Sequence, residues 1–497
     1  MEQKYKSPAD AMRQIIELAV CAGRHWQSAQ TGFVHYCYTV LDEKEHATAP
    51  IYENFLFILA LMRSRSGDNM TEAKGYLDHL LNFQQQEGES AGNFPVYMHE
   101  FSACKDRLLG VHLIAPLYWI HKNFNAVLGR ELKAKLENAL TKLINYCLKT
   151  HSEKSAPYHL AWKIGAGTLA VGDLLSLQSL QVEGGKIVSK LKESYDEAAL
   201  SSPMTLGDML VAFQMIYPSV SESLPKEIWN RIAASWHLPT SSYCGPGWKE
   251  YQRGNEPQLF LFDFFMGYFA GAYNYRAFTD HPVQLQAALV HPSDDSITAP
   301  EYPLELTGII AGMPWKIFQS NKIAYSHISK RQAEVSQEKT FVPLSIFWGD
   351  SNLVHTFVCQ GGNIDSIDIN STPDSISLKI TLVNTIPPEH REKRQEICFY
   401  FDDTPNSKTS VNGVAASTFQ IEERVLIEEP GLNIALDFAV EEGEGRFFGH
   451  LMKGNRPAQT ALVGKSRFEA YDWQLFLRSV ERTALCVVNV TISLTSN

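Results

Sequence analysis

The chain contains no GxxxxGK[ST], no GxGxxG following a strand and no HExxH. P-loop, dinucleotide and zincin chemistries therefore have no starting point in it. It also has no CxxC, and its 8 cysteines (Cys21, Cys37, Cys104, Cys147, Cys244, Cys359, Cys398, Cys486) lie scattered, without Cys/His spacing that suits zinc. They read as buried thiols of a reducing compartment, not as a disulfide framework. Met1 to Asp10 carries charge but no apolar core of a signal peptide, so the expected location is cytoplasmic. Long apolar runs are missing too. Phe260 to Tyr275 comes nearest, yet Asp263 lies inside it and Arg276 ends it, which fits a buried helix and no membrane span. Positive charge is in deficit: the formal net charge is -11, which opposes non-specific binding to nucleic acid or to an anionic membrane.

What is present is the composition of a folded protein, 44% hydrophobic and 20% charged over 497 residues, long enough for two domains. The periodicity changes along the chain. Up to about Phe278 apolar residues recur at helical spacing, as in Leu132, Leu136, Leu140, Leu143 and Cys147. Beyond about Lys322 they alternate, as in Ile376, Leu378, Ile380, Leu382 and Leu432, Ile434, Leu436, Phe438, Val440. No βαβ rhythm occurs, which excludes a doubly wound sheet and a (β/α) barrel. About ten helices joined by short links predict antiparallel pairs closing into an (α/α) toroid, and the later strands predict an antiparallel β-sandwich. The expected division is a helical domain over residues 1–290, a linker over 291–321 built around the proline-rich run His291 to Pro303, and a sandwich over 322–497.

Two links in the helical half, Glu87 to Lys105 and His237 to Glu256, mix Gly, Pro, aromatic and ionisable residues, a mixture solvated loops seldom need. They are read as lining a cleft at one rim of the ring. The first supplies Asn93, Tyr97, His99 and Glu100, with Arg107 just beyond it; the second supplies Tyr243, Trp248, Tyr251, Arg253, Asn255 and Glu256. In the β half, Gly445 to Pro457 places His450, Lys453 and Arg456 near one strand end, a set of cations that suits a carboxylate or sulfate. His112, His121 and His159 are read as structural histidines.

The segment Tyr76 to Gln84, followed by Gly92-Asn93-Phe94-Pro95, resembles a turn of (α/α) toroid enzymes that process glycans or terpenes. The domain order as a whole resembles the polysaccharide lyases of the chondroitin lyase, hyaluronate lyase and heparinase II/III type. That resemblance implies β-elimination on a uronic acid. Such a reaction needs a group that neutralises the carboxylate, a base for the adjacent carbon and an acid for the leaving oxygen. The expected roles are His99 or Tyr251 as base, Arg253 or Asn255 as neutraliser and Tyr97 as acid, with Trp162 and Trp248 stacking on sugar rings. The remaining substrate contacts are Asn93, Arg107, Glu256, His450, Lys453 and Arg456. No cofactor or metal is expected, the partner is a carbohydrate, and the oligomeric state stays open. Two alternatives are a glycoside hydrolase using Glu100 with Glu250 or Glu256, and a module that binds a glycan or protein without cleaving it.

Overall fold

The computed structural model describes residues 8–38, 48–153, 155–247, 260–271, 282–330, 342–351, 354–384, 395–402, 406–457 and 471–496. The chain forms two compact units: Met1–Trp229 with Leu259–Tyr273 and Phe278–Ile297, and Asn230–Gln258 with Asn274–Ala277 and Thr298–Asn497.

The helices are α1 (Pro8–Trp26), α2 (Ile51–Arg63), α3 (Gly67–Leu80), α4 (Leu109–Leu128), α5 (Arg130–Glu153), α6 (Tyr158–Leu175), α7 (Gln178–Lys192), α8 (Pro203–Ile216), α9 (Val220–Ser223), α10 (Lys226–Ala234) and α11 (Leu261–Phe269). They fall into two kinds. In α2, α4, α6, α8 and α11 the apolar residues run all round the helix and nearly all are buried, as helices enclosed on every side require. By contrast α3 and α7 bury single stripes, Ala73, Leu77 and Leu80 in one and Leu180, Gly184 and Val188 in the other, and leave the opposite face polar. The enclosed helices touch in succession, α2 to α4 to α6 to α8 to α11. Helix α11 then meets α1 and the 3₁₀ segment Pro282–Leu289, and both of these meet α2, so the ring of this unit closes. Helices α3, α5 and α7 pack outside α2, α4 and α6 as the second member of each pair. The α6–α7 contact is tight enough to demand glycine: a Cβ on Gly184 would lie 2.3 Å from the backbone nitrogen of Leu169.

The strands of the second unit are β1 (Trp236–His237), β2 (Ser242–Tyr243), β3 (Leu304–Ile310), β4 (Met313–Gln319), β5 (Ile323–Ile328), β6 (Leu344–Gly349), β7 (Val354–Gly362), β8 (Ser366–Thr372), β9 (Ser375–Leu382), β10 (Gln395–Phe401), β11 (Lys408–Val411), β12 (Thr418–Gln420), β13 (Val425–Glu429), β14 (Leu432–Glu442), β15 (Gly445–Pro457), β16 (Tyr471–Arg482) and β17 (Cys486–Ser496). Among the described residues they make a nine-stranded antiparallel sheet, β12-β15-β16-β10-β7-β6-β5-β4-β3, and a six-stranded one, β11-β13-β14-β17-β9-β8. The alternation read in the sequence becomes the packing between them. Ile376, Leu378, Ile380 and Leu382 of β9 and Leu432, Ile434 and Leu436 of β14 share one core with Tyr325, Ile346, Phe357 and Phe399 of the larger sheet.

The second unit begins earlier than residues 291–321 as a linker would place it. Strands β3 and β4 pair residue for residue within that span, from Leu304 with Gln319 to Ile310 with Met313. The segment from Asn230 also clusters with the strands, because its polar groups are satisfied there. Buried Gln319 donates to the carbonyl of Ala234 at 2.7 Å, and His237 Nε2 lies 2.9 Å from the carbonyl of Ser320. Among the described residues no helix is long and apolar enough to cross a membrane.

Candidate functional site

Each apolar inner helix carries an ionisable residue in its first two turns: Glu53 in α2, His112 in α4, His159 and Lys163 in α6, Asp208 in α8 and Asp263 in α11. A charge among apolar neighbours costs several kcal/mol unless it is paired, roughly 3 or more, so these positions need a reason. Four of them meet. The Lys163 ammonium donates to Asp208 Oδ1 at 2.7 Å and to His112 Nδ1 at 3.0 Å. His159 Nε2 stands 3.8 Å from the other carboxylate oxygen of Asp208. The ring of Tyr52, next to Glu53, packs edge-on against His112 with centroids 5.9 Å apart. Contact among these residues places the N-terminal ends of α4, α6 and α8 together at one end of the helical unit, with the first turn of α2 beside them.

The electrostatics follow from burial and from the Lys163 charge. Burial pushes the Asp208 carboxyl up, but Lys163 and the neighbouring imidazoles more than offset this and hold it below the ordinary value. For His112 burial and the Lys163 charge act together and depress the pKa to about 4, so the ring is neutral at physiological pH. With Lys163 donating to Nδ1, the neutral ring carries its proton on Nε2. That N–H is a hydrogen-bond donor in a side chain 32% accessible, whereas Lys163 behind it is 1% accessible. His112 is thus the most accessible member of the cluster.

The first rim loop adjoins this cluster through α2. Buried Glu53 accepts the Tyr38 hydroxyl at 2.6 Å, and the Tyr38 backbone N–H donates to the Tyr97 oxygen at 3.1 Å. Tyr97 is kept protonated by burial, which raises its pKa. His99 stacks on the Tyr97 ring at 5.6 Å. Glu100 accepts from Lys105 at 2.9 Å and from the Tyr97 N–H at 3.3 Å, and the Lys105 bond holds its carboxyl below the ordinary value. The loop thus folds Tyr97, His99 and Glu100 into one local group.

Other expected contacts are not assembled. Trp162 is fully buried, edge-on to Phe213 at 4.9 Å and stacked on Tyr195 at 6.1 Å, so its ring is core and cannot receive a sugar. Asn93 is equally inaccessible: its amide donates to the carbonyl of Asp106 at 2.9 Å and to the Tyr146 hydroxyl at 3.3 Å, which pins the loop from inside. Arg107 is exposed, and its carbonyl accepts from the Tyr146 hydroxyl at 3.1 Å. On β15, His450 pairs with Phe476 and Lys453 with Trp473 in an unbroken register. Three residues apart, they point to opposite faces of the sheet, so the sequence's anion group does not form from them. His450 instead stacks on Phe476 at 5.0 Å, and Lys453 lies 5.4 Å from the Trp473 ring centre. The Arg456 side chain and Trp248, Glu250, Tyr251, Arg253, Asn255 and Glu256 lie outside the described residues.

The reading of three histidines as structural holds for His121, which is buried and bonded to Glu137 at 2.9 Å. His112 and His159 belong to the charged cluster. The signal that identifies them is one polar residue near the start of each apolar helix, Glu53 in IYENFLFILALM and Asp208 in PMTLGDMLVAF among them. Among the described residues no group of His, Cys, Asp and Glu is placed to hold a metal ion. The cation between Asp208 and His112 is the Lys163 ammonium itself.

No protein-family model matches the chain, and no curated protein sequence matches it. Solved structures do. A chondroitin AC lyase from Streptomyces coelicolor, crystallised with chondroitin sulphate, is 9% identical with a TM-score of 0.53, covering 98% of this chain and 79% of its own. A heparinase III is 9% identical with a TM-score of 0.43 over 98% of this chain and 84% of its own. A β-L-arabinofuranosidase from Geobacillus stearothermophilus is 8% identical with a TM-score of 0.26 over 97% and 94%. The likeness to the chondroitin lyase is one of fold: a helical toroid followed by antiparallel sheets.

Proposed function

We propose that this chain is a glycan-active enzyme that cleaves a uronic-acid polysaccharide by β-elimination at the charged end of its helical ring. The observation that supports this reading best is His112: a neutral imidazole presenting Nε2–H to solvent, with the Lys163 ammonium bonded behind it at 3.0 Å. Removing a proton alpha to a carboxylate builds negative charge on that carboxylate in the transition state. A donor backed by a fixed cation in a partly dry site stabilises that charge more than it stabilises the ground state. Asp208 balances Lys163 and fixes its position, so the ammonium is oriented without being spent on solvent. Tyr97, held protonated, is the acid for the leaving oxygen, and His99 stacked on it is the base of the first loop. The sequence leaves Tyr251 as the alternative to His99 as base and Arg253 or Asn255 as neutraliser, at positions outside the described residues.

Elimination leaves a conjugated double bond, so incubation with chondroitin sulfate, heparan sulfate and polygalacturonate generates an ultraviolet-absorbing product on at least one of them. New reducing ends without absorbance would favour hydrolysis. Measurable binding without cleavage of any of the three would favour a recognition module.

A further inference from the structure

Beside the Lys163 cluster, α2 carries a second buried carboxylate with a different partner. Glu53 is 7% exposed, and its Oε2 accepts the Tyr38 hydroxyl at 2.6 Å. Tyr38 is 41% exposed, and its hydroxyl is turned inward to Glu53. The approach of the two is built in. Asn54 accepts the Val34 N–H at 2.8 Å, donates to the Val34 carbonyl at 2.9 Å and to the Pro50 carbonyl at 2.7 Å, which clamps the segment leading to Tyr38 onto the first turn of α2. The Tyr97 oxygen holds the Tyr38 N–H, and the rings of Tyr36 and Tyr97 flank the Tyr38 ring at 5.5 and 5.6 Å.

We infer that Tyr38, in place of His99 or Tyr251, is the base of the site proposed above and that Glu53 is its positioning residue, receiving the Tyr38 hydroxyl proton as the Tyr38 oxygen takes a proton from the substrate. This rests on the elimination reading. The carbon–hydrogen bond alpha to the uronate carboxylate breaks, and its proton goes to the Tyr38 oxygen. The former Tyr38 proton moves to Glu53 Oε2. The freed electron pair forms the carbon–carbon double bond, and the bond to the leaving sugar breaks with its pair on oxygen, which takes a proton from Tyr97. Glu53 then releases its proton to solvent through Tyr38, and Tyr97 regains one from water, so the net change is the cleavage alone.

A carboxylate serves this purpose only if its proton affinity lies near that of the medium. Burial raises Glu53 to about 7, and the Tyr38 bond, which favours the carboxylate, opposes that rise. The titratable groups whose charge reaches it among the described residues are Tyr38, Tyr52 and Tyr97, with His112 and Asp208 beyond Tyr52. All three tyrosines are neutral acids at pH 7.

The test uses the full chain and two readouts. Infrared spectra with carboxyl-labelled glutamate are expected to show a buried carboxyl titrating near pH 7 that is absent in Glu53→Gln and moves to higher pH in Tyr38→Phe. On whichever of the three polysaccharides the wild type cleaves, Tyr38→Phe is expected to lower kcat about a hundredfold with KM little changed. Glu53→Gln is expected to lower kcat and erase its acid limb near pH 7, with Glu53→Asp restoring part of the rate. Full kcat in folded Tyr38→Phe, or a Glu53 that titrates in the ordinary carboxylate range, would overturn the inference. If the wild type cleaves none of the three, the elimination reading fails by itself, and the inference that rests on it falls too; the infrared titration then reports only whether Tyr38 and Glu53 share a proton.

Discussion

Lys163 with Asp208 in the helical unit and Arg482 with Glu396 in the β unit are the same kind of pair, a cation and a carboxylate withdrawn from water. Their surroundings differ. Glu396 receives Ser479, both Arg482 Nε at 2.8 Å and Nη2 at 3.4 Å, and Asn363 at 3.1 Å. The remaining Arg482 protons go to the carbonyls of Thr483, Ala484 and Asn384. Both side chains are sealed, at 1% and 0% accessible, so the network is finished and has nothing left to offer a ligand. The helical cluster is unfinished on one side. Its outermost member, His112, keeps 32% of its side chain accessible. Buried charge alone therefore does not mark a site; what sets the helical cluster apart is its accessible imidazole.

Breaking the sealed pair has the largest expected effect on stability. Arg482→Met strands Glu396 in the sandwich, and denaturant unfolding is expected to show a loss of about 3–5 kcal/mol. Glu53→Gln moves the other way. A carboxyl whose folded pKa is raised from 4.5 to about 7 contributes stability that is present below pH 4.5 and lost as pH rises through 7. At pH 8 the native chain carries a buried charge that glutamine removes. The variant is thus expected to be more stable by about 2–3 kcal/mol and less active, a trade of stability for function.

Lys163→Met sharpens the contrast with Arg482. Asp208 keeps 13% of its side chain accessible and two imidazoles close by, so it can take up a proton, and the expected loss is only about 1–3 kcal/mol. Product formation is expected to fall at least a hundredfold in the same preparation. The smallest effect concerns His327 of β5. Burial lowers it from 6.5 to about 4, so the unfolded chain binds more protons between those values and stability falls as pH drops through that window. Replacement with Gln is expected to flatten the difference in unfolding free energy between pH 7 and pH 5 by about 1–2 kcal/mol.

The fold was legible because its two periodicities are long and clean: eight residues of β9 alternate without exception, and α5 keeps its apolar spacing over several turns. Strands β3 and β4 were missed because prolines and polar residues surround them and β3 is only half-buried, which weakens the alternation. In the first rim loop composition singles out Tyr97, His99 and Glu100, which the structure packs against one another. Asn93 and Trp162 were misread because sequence gives residue type and not exposure; both are wholly inside. The Lys163 cluster was overlooked because its members lie on separate helices, and each looks alone like a tolerated polar residue. Only ring closure puts them in contact.

The most direct test of the account replaces His112, the point where the helical cluster opens. His112→Ala and Arg482→Met are compared with the wild type on one polysaccharide, with ultraviolet product formation and melting curves measured on the same samples. His112→Ala is expected to lose turnover about a hundredfold or more with a melting temperature close to that of the wild type, while Arg482→Met loses stability first. Unchanged turnover in His112→Ala, or a loss of turnover that merely follows unfolding as in Arg482→Met, would contradict it.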